Sequence, residues 1–221
     1  MRIILLVTTA MMIMALPVQA QSVYSIQHKD QVREDYEIHI DFPNFDGLIN
    51  KNLEQEVNKG IKKELEKMMS EVKRAGEESV GIPVLYYGES SVVEDKEFIS
   101  VILTSNITKG DFYESSVRSI NFENEEDGIF LKLEDVVHMD KLNKEVEKKL
   151  AKDPETFNLQ AFQEVRKDTA YYIQDGKLTL VFDKYEIASG VYGTPEITVP
   201  YQHVKKDKPL HKKSIPVPKN V

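Results

Sequence analysis

FDKYEIASGVYGTPEITVPY, residues 182–201, is read as the end of a buried strand at Phe182, a break at Gly190 and Gly193, and a second strand alternating through Ile197, Val199 and Tyr201. Apolar residues at every second position put one face of a strand against a core and the other toward water. Just upstream, 171–174 and 177–182 flank Asp175-Gly176, the dipeptide that tolerates the positive φ of a tight hairpin turn. The same signals recur along the chain. Residues 22–28 and 34–42 read as strands, with Tyr36, Ile38, Ile40 and Phe42 on one face and Pro43 as the stop. Residues 82–93 and 98–107 make another pair. The second of these is apolar on both faces and so is expected in the middle of a sheet. Residues 117–123 and 129–133, around Glu126-Asp127-Gly128, read as a further hairpin.

Between these pairs lies one long helical pattern. Ile49, Leu53, Val57, Ile61, Leu65, Met68 and Val72 recur at spacings of four and three and place a single apolar stripe on a helix ending near Gly76. Asn44 or Asp46 is expected to cap it. A shorter helix is expected from Asp140, with Leu142, Val146 and Leu150 inward and Glu145 paired with Lys149. Leu159, Phe162 and Val165 mark a second short one. The expected fold class is α+β, with antiparallel sheets built from hairpins and covered by one long amphipathic helix and two short helices.

Residues 1–20 carry Arg2, an apolar run from Ile3 to Leu16, and the small-residue pattern Val18-Gln19-Ala20. This is the signature of a secretory signal peptide cut between Ala20 and Gln21, and the run falls short of the ~20 apolar residues of a membrane span. The expectation is a secreted, extracytoplasmic protein with no stable membrane span after cleavage. There is no cysteine, so neither a disulfide framework nor a lipid-modified cysteine is expected. The chain's net charge is −8. Without Arg2, and setting aside the six lysines and one aspartate of 202–221, residues 21–201 carry about −14. So acidic a body argues against nucleic acid and for cationic partners. Residues 202–221 read as a basic flexible tail.

Catalytic signatures do not emerge. His28, His39, His138, His203 and His211 never stand at the close spacings of a zinc site, so no metal and no cofactor are expected. His39 reads as a solvated strand residue. Residues 123–127 lack the alternating oxygen ligands of a calcium loop. Neither a nucleophile elbow nor a phosphate loop occurs.

Two segments resemble known bacterial extracytoplasmic domains. Phe42-Pro43-Asn44-Phe45-Asp46-Gly47-Leu48, followed by residues 54–61, is similar to the start of the deacetylase-associated (DUF4163-like) domain that precedes some peptidoglycan deacetylases. Residues 182–201, with 131–137 upstream, resemble the DUF3298-like domain that follows it. The resemblance implies a domain at 21–108 and another at 109–201. It also implies kinship with the ectodomain of the lysozyme-sensing anti-sigma-V factors. Where that family commonly has Gly-Gly-Ala-His, this chain has Lys109-Gly110-Asp111-Phe112-Tyr113, so no histidine role carries over. The expected function is non-catalytic binding of lysozyme, another cationic protein or peptidoglycan. Asp111, Phe112, Tyr113 and Tyr192 are the candidate contacts, as aromatic residues in turns make good anchors. The alternatives are a wall-glycan hydrolase or deacetylase, and a structural wall protein.

Overall fold

A computed structural model describes residues 22–78 and 81–207. The expected signal segment at 1–20, the Ala20/Gln21 junction and residues 208–221 of the expected tail lie outside the described residues. Over the described residues the chain is mixed α+β with two sheets. The larger has strand order β1-β2-β3-β4-β5, formed by β1 (Tyr24–Val32), β2 (Tyr36–Phe45), β3 (Val84–Asp95), β4 (Phe98–Lys109) and β5 (Phe112–Glu123). The smaller has order β6-β7-β8, from β6 (Ala170–Gln174), β7 (Lys177–Val181) and β8 (Glu196–Pro200).

Not every pairing is antiparallel, as the hairpin reading expected. β2 and β3 run parallel, Tyr36 opposite Val84 and Ile40 opposite Gly88. The cause is the long helix α1 (Lys51–Glu77), which carries the chain from the end of β2 back to its start, the only route by which neighbouring strands can point the same way. α1 buries Leu53, Val57, Ile61, Leu65, Met68 and Val72 on the sheet, as their spacing predicts, and each such side chain contributes about 2 kcal/mol. Ile49 is not part of that stripe and stays exposed. The cap is Asn50, whose side chain accepts from the Asn52 and Leu53 N–H groups, not Asn44 or Asp46. Those two come too early because β2 does not stop at Pro43. It runs on to Phe45, whose N–H and C=O pair at 2.8 Å with the side chain of Asn58 on α1, as a neighbouring strand would.

β4 is buried on both faces, as its sequence predicts. One face meets α1, and on the other Ile102 and Val117 pack against Ala170 and Val181 of the smaller sheet. The strands on either side of position 108 belong to one sheet, since β4 and β5 form the hairpin Lys109↔Phe112 around Gly110 (φ 57) and Asp111. The Asp175-Gly176 turn is present, with both residues at positive φ. The expected hairpin of 117–123 with 129–133 is reduced to a single bridge, Phe122↔Phe130, after which α2 (Leu133–Val136) begins. β5 is instead paired along its whole length with β4.

The second core lies between the smaller sheet and α3 (Met139–Leu150), where Leu142, Val146 and Leu150 meet Leu178, Leu180 and Val199. Glu145 pairs with Lys148 at 2.6 Å, one residue short of the expected Lys149. No helix forms over 159–165. Asn158 Oδ1 accepts from the Gln160 and Ala161 N–H groups, as a cap would, but the Val165 N–H, which a helix would give to Ala161, donates to Asn143 Oδ1 of α3. Tyr201 does not extend β8 but opens the short helix α4 (Tyr201–Val204). No helix among the described residues is long and apolar enough to cross a membrane.

Candidate functional site

The loop between β7 and β8, residues 182–195, is held by a part-buried ionic clamp. Asp183 Oδ1 accepts from the Val117 N–H at 2.7 Å and from Arg118 Nη1 at 3.2 Å. Its Oδ2 accepts from Arg166 Nη2 at 3.2 Å. Arg166 also grips Glu186 through two parallel bonds of 3.0 and 3.1 Å, and Glu186 Oε2 accepts from the Asp183 N–H. Bidentate arginine–carboxylate pairs fix orientation as well as adding energy. Arg118 thus locks the first turn of this loop to β5, and Arg166 locks it to the segment before β6.

The clamp displays the next few residues of the loop. Tyr185 has φ 70, a left-handed backbone that is strained for an aromatic residue, and 61% of its surface is exposed. Its ring lies over Gly190, where a Cβ would stand 2.1 Å from Tyr185 Cε1. Only glycine admits that contact. Lys184 reaches across to β5: its N–H donates to the Ser115 carbonyl, and its Nζ sits 3.8 Å from the Tyr113 ring centroid and 5.0 Å from that of Tyr185. An ammonium between two ring faces is a cation–π arrangement. Val191, 86% exposed, and Tyr192 continue the loop past Gly190. Beside Tyr185 opens a cleft of about 580 Å³ whose far wall is the 154–161 turn.

Of the four residues singled out in the sequence, two are brought into this one surface. Tyr113, with its hydroxyl donating to Asn106 Oδ1, joins the Tyr192 loop through Lys184 and Tyr185. Asp111 takes the second place in the β4–β5 turn, and Phe112, largely exposed, starts β5. Lys184, Tyr185 and the clamp were not foreseen. Asp183 and Glu186 were legible as charges, but nothing in the sequence pairs them with Arg118 and Arg166, 65 and 20 residues distant.

A second polar cluster lies on the outer face of β1 and β2. The register sets His28 opposite Asp41 and Asp30 opposite His39. His28 bonds Asp41 at 2.6 Å and Asp30 at 2.8 Å, and His39 bonds Asp30 at 2.6 Å. The Asp41 and Asp30 hydrogen bonds raise the pKa of His28, and those of His39 and His28 lower that of Asp30. His39 is half-buried and stacks on Tyr87 at 5.3 Å. Among the described residues no group of three or more histidines and carboxylates is set to hold a metal ion.

Residues 129–202 match the model of the family described as protein of unknown function DUF3298. That DUF3298 segment contains α2, α3, the smaller sheet and the displayed loop. Over 190 residues the chain is 25% identical to the anti-sigma-V factor RsiV of Bacillus subtilis (strain 168), covering 79% of this chain. The chain spans 65% of the length of that relative. A crystal structure of a DUF3298 family member from Bacteroides fragilis NCTC 9343 superposes with a TM-score of 0.55 at 13% identity, covering 83% of this chain and 93% of the other. At that identity the likeness concerns the fold.

Proposed function

We propose that this chain is a non-catalytic, extracytoplasmic binding module of the bacterial envelope, with lysozyme as its first candidate partner. In this reading residues 1–20 are its signal segment and the part before the DUF3298 segment is its deacetylase-associated half. The observation that carries the proposal is the displayed loop, where a strained Tyr185, Lys184 and Tyr113 form an exposed aromatic surface on a backbone fixed by two arginines. Exposed aromatics on rigid supports lose little entropy on docking and are typical energetic centres of interfaces. The similarity to an anti-sigma-V factor over most of the chain favours a regulatory or sensing role over chemistry. The charge of about −14 over 21–201 favours encounter with a cationic protein.

In this reading Tyr113 and Tyr185 make the central contact, Tyr192 adds to it from the same loop, and Asp111 and Phe112 of the β4–β5 turn are secondary candidates. Replacing Tyr113 and Tyr185 together by Ala is expected to weaken lysozyme binding by at least about tenfold, while the far-ultraviolet spectrum stays that of the native fold. Unchanged affinity in that double variant would remove the loop as the contact.

A further inference from the structure

The two edges of the larger sheet are finished differently. On β5 the Val117 N–H is given to Asp183, the Ser115 carbonyl accepts from the Lys184 N–H, and Phe122 bridges Phe130. β1, at the other end, pairs among the described residues with β2 alone. Just beyond its two ends, the Arg33 N–H donates to the Tyr36 carbonyl and the Val23 carbonyl accepts from the Asp46 N–H, both in the β1–β2 register. Antiparallel ladders alternate, so the odd-numbered residues of β1 spend their backbone groups on β2 and the even-numbered ones point theirs outward. Those of Tyr24 are taken by the Ser22 hydroxyl. Those of Ile26, His28, Asp30 and Val32 have no backbone partner among the described residues. An open edge of this kind is a template for another strand.

The sequence along that edge is complementary to its own reverse. In Ile26-Gln27-His28-Lys29-Asp30-Gln31-Val32, Lys29 has a histidine and an acid one step to either side, glutamines two steps out and apolar residues three steps out. Antiparallel pairing with a second copy, centred on Lys29, sets Ile26 against Val32, Gln27 against Gln31 and His28 against Asp30, each twice by the two-fold symmetry. The backbone asks for the same register, since it brings the outward-pointing even positions opposite one another. Ile26 and Val32, 53% and 59% exposed, cover each other in it.

The charges agree as well. Within one chain Asp41 lies across from His28, and His39 across from Asp30. Joining the edges extends each row over four strands: Asp41, His28, then Asp30 and His39 of the second copy. Acid and histidine alternate across the seam, and opposite charges in cross-strand pairs are favourable. One contact opposes the pairing, because Lys29 meets its own copy on the axis. Its side chain and that of Gln27 are exposed, so α1 does not overhang this edge and the two ammonium groups can splay apart.

We propose that β1 pairs antiparallel with β1 of a second copy of this chain, centred on Lys29, joining the two five-stranded sheets edge to edge. The Tyr185 loop, at the β5 edge, takes no part. Sedimentation equilibrium of the chain from Gln21 is expected to show monomer and dimer with a Kd on the order of 0.1 mM, the weak end for so narrow an interface. Ile26→Lys, at an exposed position, is expected to keep the stability of the monomer and weaken association at least about tenfold, whereas Tyr185→Ala leaves association unchanged. The chain has no cysteine, so crosslinking reads the register. In Lys29→Cys the two Cα atoms stand about 4.5 Å apart, within reach of a disulfide. In Gln27→Cys, on the same face, they stand about 14 Å apart and out of reach. Oxidation is expected to link the first variant into dimers and not the second. A chain that stays monomeric up to about 1 mM, association indifferent to Ile26→Lys, or equal crosslinking of the two cysteine variants would overturn the proposal.

Discussion

Asp183→Ala tests how far the displayed loop depends on its clamp. The substitution deprives the Val117 N–H of a 2.7 Å acceptor in a half-buried place, a loss of about 1–3 kcal/mol. It also takes the carboxylate from Arg118 and one of two carboxylates from Arg166, which keeps Glu186. Their side chains are 30% and 40% exposed, so water takes up much of the lost attraction and the arginine contribution is held to about 1 kcal/mol. The expected total is about 2–4 kcal/mol, or roughly 5–15 °C in Tm for a domain of this size. Asp183→Asn keeps an acceptor for Val117 but not the charge, so its cost should fall near the lower arginine figure. Urea unfolding is the assay, followed by tyrosine fluorescence, since the chain has ten tyrosines and no tryptophan. A loss below about 0.5 kcal/mol for the alanine variant, or equal losses for both variants, would refute the clamp.

Three further outcomes are expected. Gly128→Ala would place a Cβ 2.0 Å from the Glu123 carbonyl oxygen, a backbone atom that cannot yield, so a loss of about 2–4 kcal/mol in the same urea assay is expected. Gly190→Ala meets instead the ring of Tyr185, which can swing into solvent; stability should change by less than about 1 kcal/mol, while lysozyme affinity falls as it does in Tyr185→Ala. His28, whose folded pKa is raised by Asp41 and Asp30, contributes stability that is full below about pH 6.5 and is lost as pH rises through the folded value. NMR titration of His28 should therefore give a midpoint above 6.5 that drops in Asp41→Ala.

Much of the fold was written in local periodicity. The α1 stripe from Leu53 to Val72, the Asp175-Gly176 turn and the two-sided burial of β4 follow from spacings of 3.6 and 2 that no distant contact had to decide. What local pattern cannot carry is which element lies beside which. The parallel β2–β3 pair depends on α1 returning the chain, and the failed helix at 159–165 on Asn143 of α3 taking the Val165 N–H. Pro43 misled for the same reason. β2 continues past it because β1 pairs with it as far as Tyr24↔Phe45, while Asn58, on the next element, takes the other edge of Phe45.

The site divides similarly. Aromatic residues near glycine drew attention to Tyr113 and Tyr192, yet Tyr185, which shares Lys184 with Tyr113, owes its display to a backbone angle and two remote arginines. The histidines read as scattered, and only the β1–β2 register, where the positions of partners sum to a constant, brings His28 and His39 to one aspartate.

Calorimetric titration of the chain from Gln21 with lysozyme, at low and at moderate salt, is the decisive experiment for the proposed binding role. Saturable binding that survives moderate salt is expected, because aromatic contact at Tyr185 and Tyr113 is not screened as surface charge is. Binding that vanishes with salt, or heat that never saturates, would contradict that role and leave the acidic body as the whole of the attraction.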